Sequence, residues 1–158
     1  ANEYVLAIYA DCLVDCGRGV DASALRREMI DHEPRNPIIY NAEADYQLRM
    51  GNPTRALEIL DAARKLGVEN DYSFSVRGKV LEALDRGDDA SALRQEMIDH
   101  ETRNPAICTA EADYQLRMGN PTRAMEILDA ARKQGVEDDY SLSVRGRVLE
   151  ALDRRRVE

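Results

Sequence analysis

The 158-residue sequence has no tryptophan, a single phenylalanine, and aromatic residues at only 5% of its length. That scarcity, beside an abundance of Ala, Leu, Glu and Arg, argues against a sheet protein and favours helix. No apolar run approaches the roughly 18 residues that span a bilayer, and no signal peptide opens the sequence, so no membrane partner is expected. Three cysteines, an odd number, exclude a fully paired disulfide framework. Free thiols fit a reducing compartment, from which a cytoplasmic location is expected. A net charge of -8 argues against a phosphate-tracking surface, because nucleic-acid binding is dominated by Lys and Arg neutralising phosphates. There is no Gly-rich phosphate loop, nucleophile elbow or zinc-binding helix motif, so neither a cofactor nor a catalytic activity is expected.

What the sequence does contain is repetition. Residues 21–88 recur as 89–156 with 12 differences, leaving 56 of 68 positions identical, which implies either a recent duplication or deliberate tiling. The period of 68 is twice 34, and small residues stand 34 apart at Ala10, Ala44, Gly78, Ala112 and Gly146. Four residues before each comes Leu6, Tyr40, Phe74, Cys108 or Leu142. Residues four apart share one face of a helix, and a large residue beside a nearly bare backbone lets two helices approach closely. Gly costs about 1 kcal/mol in a helix relative to Ala, so Gly78 and Gly146 are expected at the tightest contacts.

The punctuation keeps the same period. Asn36-Pro37, Asn52-Pro53, Asn104-Pro105 and Asn120-Pro121 use four of the five prolines; Asn is a strong N-cap, and Pro is welcome at the first helical position. Gly51, Gly67, Gly87, Gly119 and Gly135 fall where helices should end. Nine helices are predicted near 3–17, 20–33, 37–50, 53–66, 71–86, 88–101, 105–118, 121–134 and 139–156. Their short connections make sequential helices antiparallel neighbours.

The stretch from Tyr40 through Ala44 and Gly51 to Ala56, Leu60 and Ala63 resembles the tetratricopeptide signature, as does Cys108, Ala112, Gly119, Ala124, Leu128 and Ala131. The other hairpins depart from it. Their first helices are predicted to run about two residues further, to Gly19 and Gly87, and Arg26 and Arg94 stand where the family has a large apolar residue. The resemblance implies an all-α, right-handed superhelical solenoid forming one domain over 1–158. Its hairpins would be 3–33, 37–66, 71–101 and 105–134, followed by a terminal helix at 139–156.

The same resemblance implies a non-catalytic interaction scaffold whose first helices line a concave groove for a protein or peptide. Carrying that arrangement over places Tyr4, Tyr72 and Tyr140 at the groove, with Ile38 and Ala106 at the intervening hairpins. Next come Ala7, Asn41, Ser75, Thr109 and Ser143, then Asp11, Asp45, Lys79, Asp113 and Arg147, with Arg49, Glu82, Arg117 and Glu150 deeper along the helices. The alternating charges have a second reading, in which they pair with one another and set the register of stacking; each exposed pair is worth only about 0–1 kcal/mol. A chaperone-type dicarboxylate clamp is not expected, since Asp45 and Asp113 stand where it needs Asn.

Cys12 and Cys16 lie four apart on the first helix, where two thiolates could share a metal. Their counterparts 68 residues on are Val80 and Leu84, so all three cysteines are expected to act as small buried hydrophobes. His32 and His100, each at the end of a second helix, are expected on the surface, with no zinc-type partner at the right spacing. The terminal helix has no second helix over it, so part of Val144, Val148, Leu149 or Leu152 is expected to be exposed. Uncovered ends would allow a homo-oligomer through the terminal helices.

Overall fold

The Asn-Pro pairs start helices, but only two of the four asparagines cap them. The Asn36 and Asn104 side-chain oxygens accept the N–H groups of Ile38 and Ala106 at 3.1 and 3.0 Å, each bond worth about 1 kcal/mol. Asn52 and Asn120 precede prolines at the same helical position, yet with ψ near 62 and 61° their side chains make no cap bond. They donate backwards instead, to Gln47 and Gln115 at 3.2 Å.

The computed structural model describes residues 2–157, and the regular structure among them is entirely helical. The order is α1 (Glu3–Asp15), α2 (Gly19–Ile30), α3 (Pro37–Arg49), α4 (Pro53–Lys65), α5 (Asp71–Ala83), α6 (Gly87–Asp99), α7 (Pro105–Arg117), α8 (Pro121–Lys133) and α9 (Asp139–Val157). Turns after the helices use left-handed residues: Gly17, Gly51, Gly67, Gly119 and Gly135, with Glu33, Asp85 and Glu101 doing the same at φ of 50, 56 and 55°.

Asp85 explains a departure from the sequence reading. It stands 34 residues after Gly51 and makes the same turn, so α5 ends there. Gly87 and its equivalent Gly19 therefore open α6 and α2 instead of closing the helices before them. The first helices of the odd hairpins are no longer than the others; α1, α3, α5 and α7 all have 13 residues. What Gly19 and Gly87 supply is room. A Cβ on Gly87 would meet the Tyr114 ring at 3.0 Å, and one on Gly19 the Tyr46 ring at 3.3 Å.

The chain divides into two compact units, Ala1–Arg86 and Gly87–Glu158. In the first, α1 pairs with α2 and α3 with α4, α2 lies against α3, and α5 packs on both α3 and α4. Its main core gathers Tyr40, Ala44, Ala56, Ile59, Leu60, Ala63, Val76 and Val80, with Ala10, Leu13 and Ala22 forming a smaller cluster between α1 and α2. In the second unit α6 lies on α7, α7 pairs with α8, and α9 covers both. Its core repeats the first, with Cys108, Ala112, Ala124, Ile127, Leu128, Ala131, Val144 and Val148. The small-residue ladder thus sits at the closest helix contacts, Ala44 and Ala112 being 0% exposed.

The ladder ends differently from the sequence expectation. Gly78 is buried, but Gly146 is exposed and a Cβ there would meet nothing within 4 Å. Gly146 therefore marks an open helix face. Gly146→Ala should stabilise the second unit by about 0.5–1 kcal/mol, because only the backbone entropy cost of glycine is removed; a rise in Tm checks it. Of the residues expected to be uncovered on α9, Val144 and Val148 are fully buried against α7 and α8. Leu152 is half-buried and Leu149 is exposed, as are Tyr140, Leu142 and Val157 on the same helix. α9 runs 19 residues, past the point where α5 stops, since Arg155 and Arg156 replace Gly87 and Asp88 and favour helix.

Charge is built into both cores. Arg26 and Arg94, in place of the apolar residues of the family pattern, are 4% and 3% exposed. Arg94 Nε donates to Glu111 Oε2 at 3.0 Å, and the fully buried Glu111 also accepts from Ser91 Oγ at 2.6 Å and Gln115 Nε2 at 2.9 Å. The Arg94 guanidinium lies 5.6 Å from the Tyr114 ring centroid, and the Tyr114 hydroxyl donates to Asp88 at 2.7 Å, which holds its proton more tightly. In the first unit the buried Glu43 accepts from Ser23 Oγ and Gln47 Nε2 at 2.7 and 2.8 Å. Buried Arg77 ties α5 to α4 through Asp61 and the Leu60 carbonyl, and reaches Glu69 at 2.8 Å.

Several buried polar atoms of the first unit lack a hydrogen-bond partner, and the Tyr40 hydroxyl is one of them. Tyr40 is 0% exposed and its hydroxyl has no partner; burial, then the charge of Glu33, raises its pKa above the usual 10.0. Tyr40→Phe should therefore stabilise the first unit by about 1 kcal/mol. In the parent the folded state resists ionisation more than the unfolded chain, so stability is complete below about pH 10 and declines as pH rises beyond it. Tyr72 and Tyr114 shift in the same direction, so the variant should lose only part of that decline. Urea titrations near neutral pH and above about pH 10 would measure both effects.

Candidate functional site

Along α3, Ile38, Asn41, Ala42, Asp45 and Arg49 fall on one helical face by their spacing of three and four. With Asp11, Val14 and Asp15 of α1, Arg26 of α2, and Asn70 and Tyr72 at the start of α5, they line an open cleft of about 460 Å³ in the first unit. Six of the residues expected at the groove, Asp11, Ile38, Asn41, Asp45, Arg49 and Tyr72, thus come together. Tyr4, Ser75 and Lys79 do not line this cleft. Tyr4 is 66% exposed near the start of α1, Ser75 is half-buried, and Lys79 is exposed with no ion pair among the described residues.

The cleft's charges are partly matched internally. Arg26 Nη2 lies 3.0 Å from Asp11, and Arg49 Nε 3.2 Å from Asp45 one helical turn away. Tyr72 stands half-exposed on the wall; burial first, then the Asp45 carboxylate, pushes its hydroxyl pKa up, with Arg49 opposing. Asn41, expected on the open face, is only 1% exposed. It is drawn inward by Asn70, whose Oδ1 accepts both the Ser73 N–H that caps α5 and the Asn41 Nδ2, at 3.0 and 3.1 Å. Asn41 Oδ1 is left buried without a donor. Nothing in the cleft pairs a nucleophile with a base; the arrangement offers hydrogen-bond acceptors, carboxylates and an aromatic wall.

The second unit carries the counterpart residues Thr109, Asp113, Arg117, Tyr140 and Arg147, arranged differently. Thr109 is 0% exposed and shares a 2.7 Å hydrogen bond with Ser141 Oγ. Asp113, half-buried, pairs with Arg117 at 3.3 Å on its own helix and with Arg147 of α9 at 2.8 Å. Tyr140 remains exposed at the start of α9. Four of the 12 differences between the copies lie on this face: Ile38, Asn41, Asn70 and Lys79 become Ala106, Thr109, Asp138 and Arg147.

Asp15, Val14 and Asn70 were not among the expected groove residues. They lie at or beside helix ends, where the 34-residue pattern weakens, and their place in the cleft depends on how α1, α3 and α5 are set. Arg26 was visible in the sequence as a departure from the family pattern. Cys12 and Cys16 are exposed, contrary to the expectation of burial, because nothing among the described residues covers that face of α1; Cys108 is buried, and burial raises its thiol pKa. His32 and His100 are exposed. Among the described residues no group of three or more His, Cys, Asp or Glu side chains gathers as a metal site, and no helix is long and apolar enough to cross a membrane.

No family model matches the sequence, and no curated protein matches it. Solved structures do. A tetratricopeptide repeat protein from Parabacteroides merdae superposes with a TM-score of 0.75 at 14% identity, over 96% of this chain and 59% of that one. The chain therefore spans less than two thirds of that protein. TTC0263, a thermophilic tetratricopeptide protein of Thermus thermophilus, gives a TM-score of 0.52 at 20% identity, over 96% of this chain and 99% of that one. With helices packed in consecutive pairs around an alanine ladder and these two likenesses in three dimensions, the chain has the tetratricopeptide-repeat fold.

Proposed function

We propose that this helical repeat scaffold is non-catalytic and holds a protein or peptide segment against its first-helix face, as one continuous array over 1–158. The observation that carries the reading is the cleft of the first unit, where Asn41, Asp45, Arg49 and Tyr72 converge from α3 and α5. Half-exposed Tyr72 is an anchor of the kind that concentrates binding energy, with an apolar ring and a polar tip. The 34-residue spacing, which runs unbroken through the chain, supports a single array. Panning a library of random dodecapeptides on the full chain tests the groove. Binders should lose about tenfold or more in affinity on Tyr72→Ala or Arg49→Glu, with helix content unchanged by circular dichroism. Binders indifferent to both changes, or none at all, would remove the reading.

The pairing of Arg147 with Asp113 at 2.8 Å favours a second reading for the other unit, in which groove charges serve stacking. There Arg147→Glu should lower the melting temperature slightly, by the loss of a pair worth about 0–1 kcal/mol. Lys79→Glu should leave melting unchanged and affect only a partner. Exposed Leu142 and Leu149 on α9, with Val5, Ile8 and Tyr9 on α1, support self-association through the terminal helices. Light scattering that shows a monomer at high micromolar concentration would dispose of that possibility.

A further inference from the structure

Two features of the first unit's cleft go unused in the groove reading. One is charge left over: Asp11 is matched by Arg26 and Asp45 by Arg49, but Asp15, which also lines the cleft, has no ion pair among the described residues. The other is the Asn41 Oδ1, buried and without a donor. Its amide cannot turn over to find the oxygen a donor. Asn70 Oδ1 is oriented by the backbone N–H of Ser73 and so demands the Asn41 Nδ2. A buried acceptor without a donor is costly, and a ligand that brings an N–H relieves the cost. Val14, Ile38 and Ala42 add apolar wall, and the Tyr72 ring adds an aromatic face. Such surfaces suit a methylene stem ending in a cation.

We propose that this cleft receives a lysine side chain from an extended partner segment, with Asp15 supplying the countercharge and Asn41 Oδ1 accepting from the ammonium. The inference rests on the groove reading and names the chemistry of its partner. The three donors of a compact ammonium can divide between the Asp15 carboxylate and the Asn41 acceptor, whereas a planar guanidinium fork seated on the carboxylate holds its remaining donors in one fixed plane. The second copy lacks both features. Thr109, in the place of Asn41, spends its hydroxyl on Ser141, and the residue 68 after Asp15 is Ala83, which has no carboxylate.

The test is nuclear magnetic resonance of the full chain titrated with acetyl-Ala-Ala-Lys-Ala-Ala-amide and with its norleucine and arginine analogues. The lysine peptide should shift the Asn41 side-chain amide and the Asp15 backbone signal saturably, and the norleucine peptide should bind at least about tenfold more weakly. Asp15→Asn, an exposed change, and Asn41→Thr, which installs the residue of the second copy, should each weaken the lysine peptide by about tenfold. Equal binding of the norleucine peptide, or tighter binding of the arginine peptide, would overturn the lysine assignment and leave the groove reading standing. If no peptide moves any cleft signal at millimolar concentration, both fall.

Discussion

Arg94→Leu should destabilise the second unit by about 3–5 kcal/mol, the cost of leaving a buried charge without its partner. Glu111 is 0% exposed, and in the parent it is held by Arg94 Nε, Ser91 Oγ and Gln115 Nε2. Two neutral donors remain after the change, and neither carries the charge needed to offset the desolvation of a carboxylate. The pair itself is a weaker contributor than that number suggests. Removing both charges, as Arg94→Met with Glu111→Leu, keeps similar volume and should return stability to within about 1 kcal/mol of the parent. The cycle should therefore yield a coupling of several kcal/mol between two residues whose joint replacement costs little. Urea denaturation, with amide hydrogen exchange across 87–158 to localise the loss, measures it. A single-variant cost below about 1 kcal/mol would mean that Arg94 does not hold Glu111.

Leu60→Ala should cost the first unit about 2–5 kcal/mol. Leu60 is fully buried in a cluster with Tyr40, Ala44, Ala56, Ile59 and Ala63. Three of those neighbours are alanines at a helix contact, with no flexible side chain to move into the space. The cavity should stay open, and the cost should fall in the upper half of that range. The opposite change, Ala44→Leu, should also destabilise, by about 1–3 kcal/mol, because added bulk at 0% exposure must push α3 and α4 apart. Both should move the urea midpoint without altering the slope. If Leu60→Ala is nearly silent, the alanine ladder is not close-packed.

The two arginines show how far the sequence could be read. Arg26 and Arg94 stand out in it as polar residues in apolar positions, but the sequence does not say what they meet. Arg94 meets a carboxylate 17 residues away on α7. The groove shows the same division: the helical spacing puts Asn41, Asp45 and Arg49 on one face, and the structure then buries Asn41 beneath that face because Asn70, 29 residues on, takes its amide. Lys79 and Arg147 occupy equivalent sites 68 residues apart; only the arginine has an ion pair among the described residues.

Taken alone, the sequence determined the nine helices among the described residues and the buried small residues Ala10, Ala44, Gly78 and Ala112. Each follows from chemistry acting within about four residues along the chain: Asn and Pro at helix starts, left-handed glycines at helix ends, and a small residue one turn from a large one. Tertiary structure alone decided which faces are covered. It exposed Cys12, Cys16 and Gly146, turned Gly19 and Gly87 into room for tyrosine rings, and opened one cleft while pairing the charges of its counterpart. Burial is set by a neighbouring helix that is distant in the chain, and a 34-residue pattern carries no record of whether that neighbour is present.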